Sequence, residues 1–210
     1  MNITDFKSIS KSGYKSYLEK GISYDQYKYQ MAEDFLHNSD DKIKEYINLN
    51  KHRMSRIEKT YTVSQKIEQA LKRLNHKTHW LVLTEHWCGD AAQTLPAFQK
   101  VAELSNGSIE LKFVYSDGNP QLMDAYLTGT SRSIPKLIQL DRYYNVTGIW
   151  GPRPVEAQKL VNQLKSNPEK ASSYTIELHK WYARDKQKAL EIEIIELINR
   201  AALFCTDCLN

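Results

Sequence analysis

Leu81-Val82-Leu83 is an unbroken apolar run of strand length and predicts a buried strand over about 80–86. On its N-terminal side Val63, Ile67, Ala70 or Leu71, and Leu74 recur at helical spacing, predicting a helix over 62–74. On its C-terminal side helix formers fill about 89–105, and Asn106-Gly107 supplies a stop. Ile109 to Tyr115 alternates apolar and polar residues, as a half-buried strand does. A short helix is expected at 120–128, with Leu122, Met123, Tyr126 and Leu127 on its apolar side. Residues 136–140 and about 144–150 read as a hairpin around Asp141-Arg142-Tyr143, and Val155, Leu160, Val161 and Leu164 mark one more helix. Helices alternating with strands make this an α/β chain.

The flanks carry helical periods only. Upstream, Tyr14, Tyr17 and Leu18, then Tyr24, Tyr27 and Met31, then Ile43, Tyr46 and Ile47 after the cap Ser39-Asp40-Asp41, predict helices, with breaks at Gly13 and Gly21. Downstream of Asn167-Pro168, one long helix over about 173–203 is expected, with Ile194, Leu197, Ile198 and Ala201 on one face and Trp181 and Tyr182 widening it. That face is expected to pack on the N-terminal helices, with a homodimer contact as the alternative. The expected organisation is a helical N-terminal extension (1–61), a core (62–166), and a C-terminal helix and tail (167–210) on the same single domain.

Composition narrows the class. Hydrophobic residues at 41% and charged residues at 26% of 210 fit a globular chain with a substantial core. No apolar run approaches the roughly 20 residues of a membrane helix, and Met1 to Lys7 lacks a leader's apolar stretch, so no membrane partner and a cytoplasmic location are expected. The net charge of +4 lies wholly in residues 1–75, with 14 Lys+Arg against 10 Asp+Glu. The excess is small and mixed with acids, so no nucleic-acid partner is expected. Its densest part, Lys51-His52-Arg53 with Arg56 and Lys59, reads as a solvated helix face.

The candidate chemistry is at Cys88, where strand gives way to helix. A thiol at a helix start meets unpaired N–H groups and the positive end of the dipole, so Cys88 is expected to be more acidic than a free thiol. Asp90, two residues on, opposes this by placing a carboxylate nearby. Trp87 would shield one side of the sulfur. Glu85 and His86 are the candidate proton carriers, with at most one aimed at Cys88 because adjacent strand residues face opposite ways. The plainer reading makes both of them polar residues at the strand's end. Arg153, in Trp150-Gly151-Pro152-Arg153-Pro154, is either a surface residue or a neighbour of Cys88.

Trp87-Cys88-Gly89 resembles the start of the thioredoxin Trp-Cys-Gly-Pro-Cys motif. Pro96 matches the proline that kinks the thioredoxin active-site helix, Asp117-Gly118-Asn119-Pro120 resembles the turn after the next strand, and Ser133-Ile134-Pro135 resembles the cis-proline loop. These matches fall in the family's order across about 62–166. The resemblance implies a thioredoxin-like fold with helical N- and C-terminal extensions. It also implies a cis peptide before Pro135 and a substrate groove formed by Trp87, Gly89, Asp90, Ile134 and Pro135 beside Cys88.

The departures shape the function. Ala91 stands where the family has its second cysteine and Asp90 where it has proline; the family's buried Asp and nearby Lys fall on Val82 and Phe113. A dithiol cycle within the motif is therefore excluded. Cys205 and Cys208, in the last six residues, are candidate resolving thiols, or else incidental thiols of a frayed tail. Two cysteines supply half a zinc site, no Gly-rich phosphate loop is present, and neither a metal nor another cofactor is expected. The resulting expectation is a monothiol thiol–disulfide oxidoreductase in cell redox homeostasis, acting through Cys88 on a protein or small-molecule thiol or disulfide. The alternative is a redox-inactive module that binds a partner segment between Cys88 and Pro135.

Overall fold

The structure, a computed structural model, describes residues 9–203. Three helices come first: α1 (Lys11–Lys20), α2 (Tyr24–His37) and α3 (Asp41–Thr60). The α/β unit follows as α4 (Gln65–Leu71), β1 (Thr78–Thr84), α5 (Gly89–Leu104), β2 (Ile109–Tyr115), α6 (Pro120–Ala125), β3 (Lys136–Asp141), β4 (Val146–Trp150) and α7 (Val155–Lys165). A 3-10 turn at Ala171–Ser173 leads to α8 (Tyr174–Asp185) and α9 (Lys188–Leu203).

The four strands run in the order β2-β1-β3-β4, with β2 parallel to β1 and the β1–β3 and β3–β4 pairs antiparallel. The central place of β1 explains its continuous apolar run, since every residue from Thr78 to Thr84 is buried. Against it lies α5, which is buried from Asp90 through Phe98, and the Phe98 ring meets Trp80 and Trp150 edge-on. The buried Gln139 ties the layers together. Its Oε1 accepts from Trp80 Nε1, and its Nε2 donates to Thr147 Oγ1 and to the carbonyl of Leu197 in α9. Pro135 follows a cis peptide from Ile134, and Pro152 a cis peptide from Gly151.

The N-terminal helices belong to this core. Ile22 exchanges two backbone hydrogen bonds of 2.9 Å with Phe113, covering the free edge of β2 with a one-residue bridge. Tyr27 lies beneath the sheet edge against Phe113 and His86. Ser23 and Gln26 form a reciprocal capping box at α2, and Asp40 caps α3. Gly21 does end α1, but Gly13 sits in its first turn, where Gly13 N–H donates to Ser10 Oγ.

Two C-terminal expectations are corrected. The single helix over 173–203 is two helices, broken where Lys186 and Gln187 both adopt left-handed backbone (φ 53° and 70°). Neither is glycine, so the break carries no local signal; Gln187 instead anchors it by donating to the carbonyl of Gln93, 2.9 Å away. The apolar face of α9 packs on α4, β3 and β4 rather than on the N-terminal helices. That leaves α8 to pack on α7 in a separate small cluster of Ala157, Val161, Leu178 and Tyr182.

Candidate functional site

Cys88 is the N-cap of α5. The turn from β1 closes with Cys88 N–H donating to Glu85 O at 3.1 Å, and the Cys88 carbonyl accepts from Ala92 N–H. The thiol points at the loop before β3, with Sγ donating to Ile134 O at 3.4 Å beside Pro135. Trp87 stands at the rim, 41% exposed, whereas Cys88 is 6% exposed. The structure thus brings Cys88, Gly89, Asp90, Ile134 and Pro135 together.

The expected acidity of Cys88 is reversed. Its pKa is pushed up to about 12, first by burial and then by the Asp90 carboxylate. The backbone N–H groups of Ala91 and Asp90, and the charge of Arg153, favour the thiolate but are outweighed. A helix start favours the thiolate of an open thiol; this one is buried.

Over the residues that follow Cys88 lies α8, with Arg153 on Asp90 beside it. Arg153 does reach the Cys88 region, donating through Nε (3.0 Å) and Nη2 (2.5 Å) to Asp90 Oδ2. Tyr182 donates to Asp90 Oδ1 at 2.8 Å. Asp90 is therefore bound on both oxygens within a largely buried pair. One turn back along α8, the His179 ring lies directly over Gly89. A Cβ on Gly89 would sit 3.0 Å from that ring and 3.3 Å from Arg53 Nη1, so glycine is what lets both approach. Gln93 Nε2 lies 3.2 Å from His179 Nδ1, while Gln93 Oε1 accepts from Arg56 Nη2. Burial and the charges of Arg53 and Arg56 press the His179 pKa down to about 4, Asp90 working the other way, so the ring is neutral near pH 7.

Glu85 and His86 do not serve Cys88 in this arrangement. Glu85 Oε1 accepts from Ser116 Oγ and Asp117 N–H. His86 turns toward α2, with Nδ1 2.8 Å from Asp34 Oδ2 and Nε2 2.8 Å from Tyr115 OH. Both shape the loop rather than touch the sulfur. Cys205 and Cys208 lie outside the described residues. Among the described residues no group of three or more His, Cys, Asp or Glu side chains is placed to hold a metal ion, and no helix is long and apolar enough to cross a membrane. On the far side of Tyr182 a cleft of about 550 Å³ opens between α3 and the α8–α9 corner.

Tyr182, His179 and Arg53 escape a reading of the sequence. Tyr182 shows only as an apolar helix position 92 residues from Asp90, and Arg53 only as part of a basic helix face. Their convergence on the first turn of α5 has no local pattern.

A family model described as thioredoxin matches residues 37–165, and the chain belongs to that family. Among solved structures, a protein of unknown function from Pseudomonas aeruginosa superimposes with a TM-score of 0.58 at 17% identity, covering 90% of this chain and 98% of its own. An HIV epitope-scaffold superimposes with a TM-score of 0.56 at 18% identity, covering 88% and 96%. At these identities the likeness is one of fold. No curated protein matches the sequence.

Proposed function

We propose that this thioredoxin-family protein carries out thiol–disulfide exchange through the single thiol Cys88, in cell redox homeostasis. The observation that supports this is the placing of Cys88 Sγ against Ile134 O beside Pro135. A disulfide entering the groove would lie along that backbone edge with one sulfur presented to Cys88. Trp87 walls the approach. Exchange needs a thiolate and access. With a pKa of about 12 the covered thiol is ionised in only about one molecule in 100,000 at pH 7. In this reading the reaction therefore proceeds after α8 moves off, when the N–H groups at the start of α5 and Arg153 act on an open sulfur.

The covered thiol supports a second reading, a redox-inactive module that grips a partner segment in the same groove. Residue-resolved iodoacetamide labelling across pH, together with mass-spectrometric capture of mixed disulfides, separates the two. Exchange at Cys88 that disappears in Cys88→Ser supports the first. A Cys88 that neither alkylates nor exchanges in the folded protein up to pH 9 supports the second.

A further inference from the structure

We infer that Arg53 and Arg56 make the Cys88 site selective for disulfides that carry an anionic group, a carboxylate, close to the reacting sulfur. This deepens the exchange reading above and rests on it.

The two arginines stand one turn apart on α3, which lies alongside α5. Arg53 Nη1 reaches over Gly89, the residue next to Cys88, and its one hydrogen bond is to Asn50 Oδ1 at 2.8 Å. Arg56 donates to the neutral Gln93 Oε1 at 3.2 Å. Among the described residues neither is in an ion pair. The nearby carboxylate, Asp90, is taken on both oxygens by Arg153 and Tyr182. His179, between them, is neutral near pH 7. Arg53 thus brings a positive charge, only partly offset by Asp90, to the residue next to Cys88, and Arg56 extends that charge along α3 toward Gln93. Burial and the repulsion from Arg56 act against the charge of Arg53 and outweigh the attraction of Asp90, the condition an incoming anion would relieve. Gly89 and Arg53 are partly exposed and Trp87 is exposed, so the charge is presented at an aromatic rim. A guanidinium binds a carboxylate in two parallel hydrogen bonds, which fixes orientation as well as position.

The chemistry balances within the two partners. Cys88 gives its proton to solvent, and its sulfur attacks the disulfide R–S–S–R. A Cys88–S–S–R bond forms as the S–S bond of R–S–S–R breaks, the second half leaves as the thiolate R–S⁻, and that thiolate takes up a proton according to its own pKa. No external oxidant or reductant is required.

The test uses the full chain with Cys205→Ser and Cys208→Ser, so that Cys88 is the reacting thiol. Three probes differ in charge: dithiobis(nitrobenzoate), a dianion; dithiodipyridine, neutral; and cystamine, a dication. Each second-order rate is divided by the rate of the same probe with a free cysteine derivative. The dianion is expected to lead the dication by about tenfold or more at low salt, with the gap closing as salt is added. Arg53→Gln and Arg56→Gln should each lower the dianion rate several-fold, Arg53→Lys should keep most of it, and Lys59→Gln, the same charge change elsewhere on α3, should leave it unchanged. Equal normalised rates for all probes, a rate independent of probe concentration, or an equal effect of Lys59→Gln overturns the anion selectivity while exchange itself stands. Failure of Cys88 to react with any probe overturns the exchange reading, and the selectivity with it.

Discussion

Tyr182 and Asp90 meet across 2.8 Å, the phenol of α8 donating to a carboxylate in the first turn of α5. Through this contact a helix that packs mainly on α7 is tied to the first turn of α5, next to Cys88. Arg153 holds the other oxygen of Asp90, so the group that most disfavours the thiolate after burial is itself fixed from both sides.

Asp90→Asn is expected to lower the Cys88 pKa by about one unit, because it removes the carboxylate and leaves Arg153. Burial remains, so the value stays above that of a free thiol. The midpoint of iodoacetamide labelling reads this. The same variant should lose about 3 kcal/mol of stability, since Arg153 is left as a largely buried charge without its partner.

Local opening should be easiest at α8. Its apolar contacts lie in a small separate cluster of four buried residues with Tyr174 and Trp181 packed against it, and its hold on α5 is polar. Native-state hydrogen exchange should therefore find α8 amides less protected than those of α9 or β1. Tyr182→Phe should lower α8 protection further and speed alkylation of Cys88, leaving β1 unchanged.

Acid should weaken the fold through His179. Its folded pKa, about 4, lies below the ordinary histidine value of 6.5. The unfolded chain thus binds more protons between these values, and stability falls as pH drops through that window. For this partly exposed ring the loss is about 1 kcal/mol by pH 5. Urea denaturation at pH 7 and pH 5 should show it, and His179→Gln should flatten it.

Lys136 should behave in the opposite range. It is 4% exposed, its Nζ donating to Thr128 Oγ1 and Gly151 O, and burial lowers its pKa to about 8. The unfolded lysine titrates near 10.5, so the burial penalty is full below pH 8 and is lifted as pH rises toward 10.5. Lys136→Met should raise stability by about 1–2 kcal/mol at pH 7, with a smaller gain at pH 9.5.

The core elements could be read from the chain because their signals are local. The run Leu81-Val82-Leu83, the alternation from Ile109 to Tyr115 and the stop at Asn106-Gly107 each set an element through a few neighbouring residues. The order of Cys88, Pro96, Asn119-Pro120 and Pro135 carried the family, and the family carried the groove.

Tertiary structure alone decided the state of the thiol and the break at Lys186-Gln187. A pKa depends on what covers a sulfur and which charges face it; at Cys88 the opposing carboxylate, Asp90, is a near neighbour in the chain, but the burial that outweighs it and the charge of Arg153 come only from folding. Local position pointed to a reactive cysteine at a helix start; burial and a clamped aspartate, assembled by folding, made it a closed one.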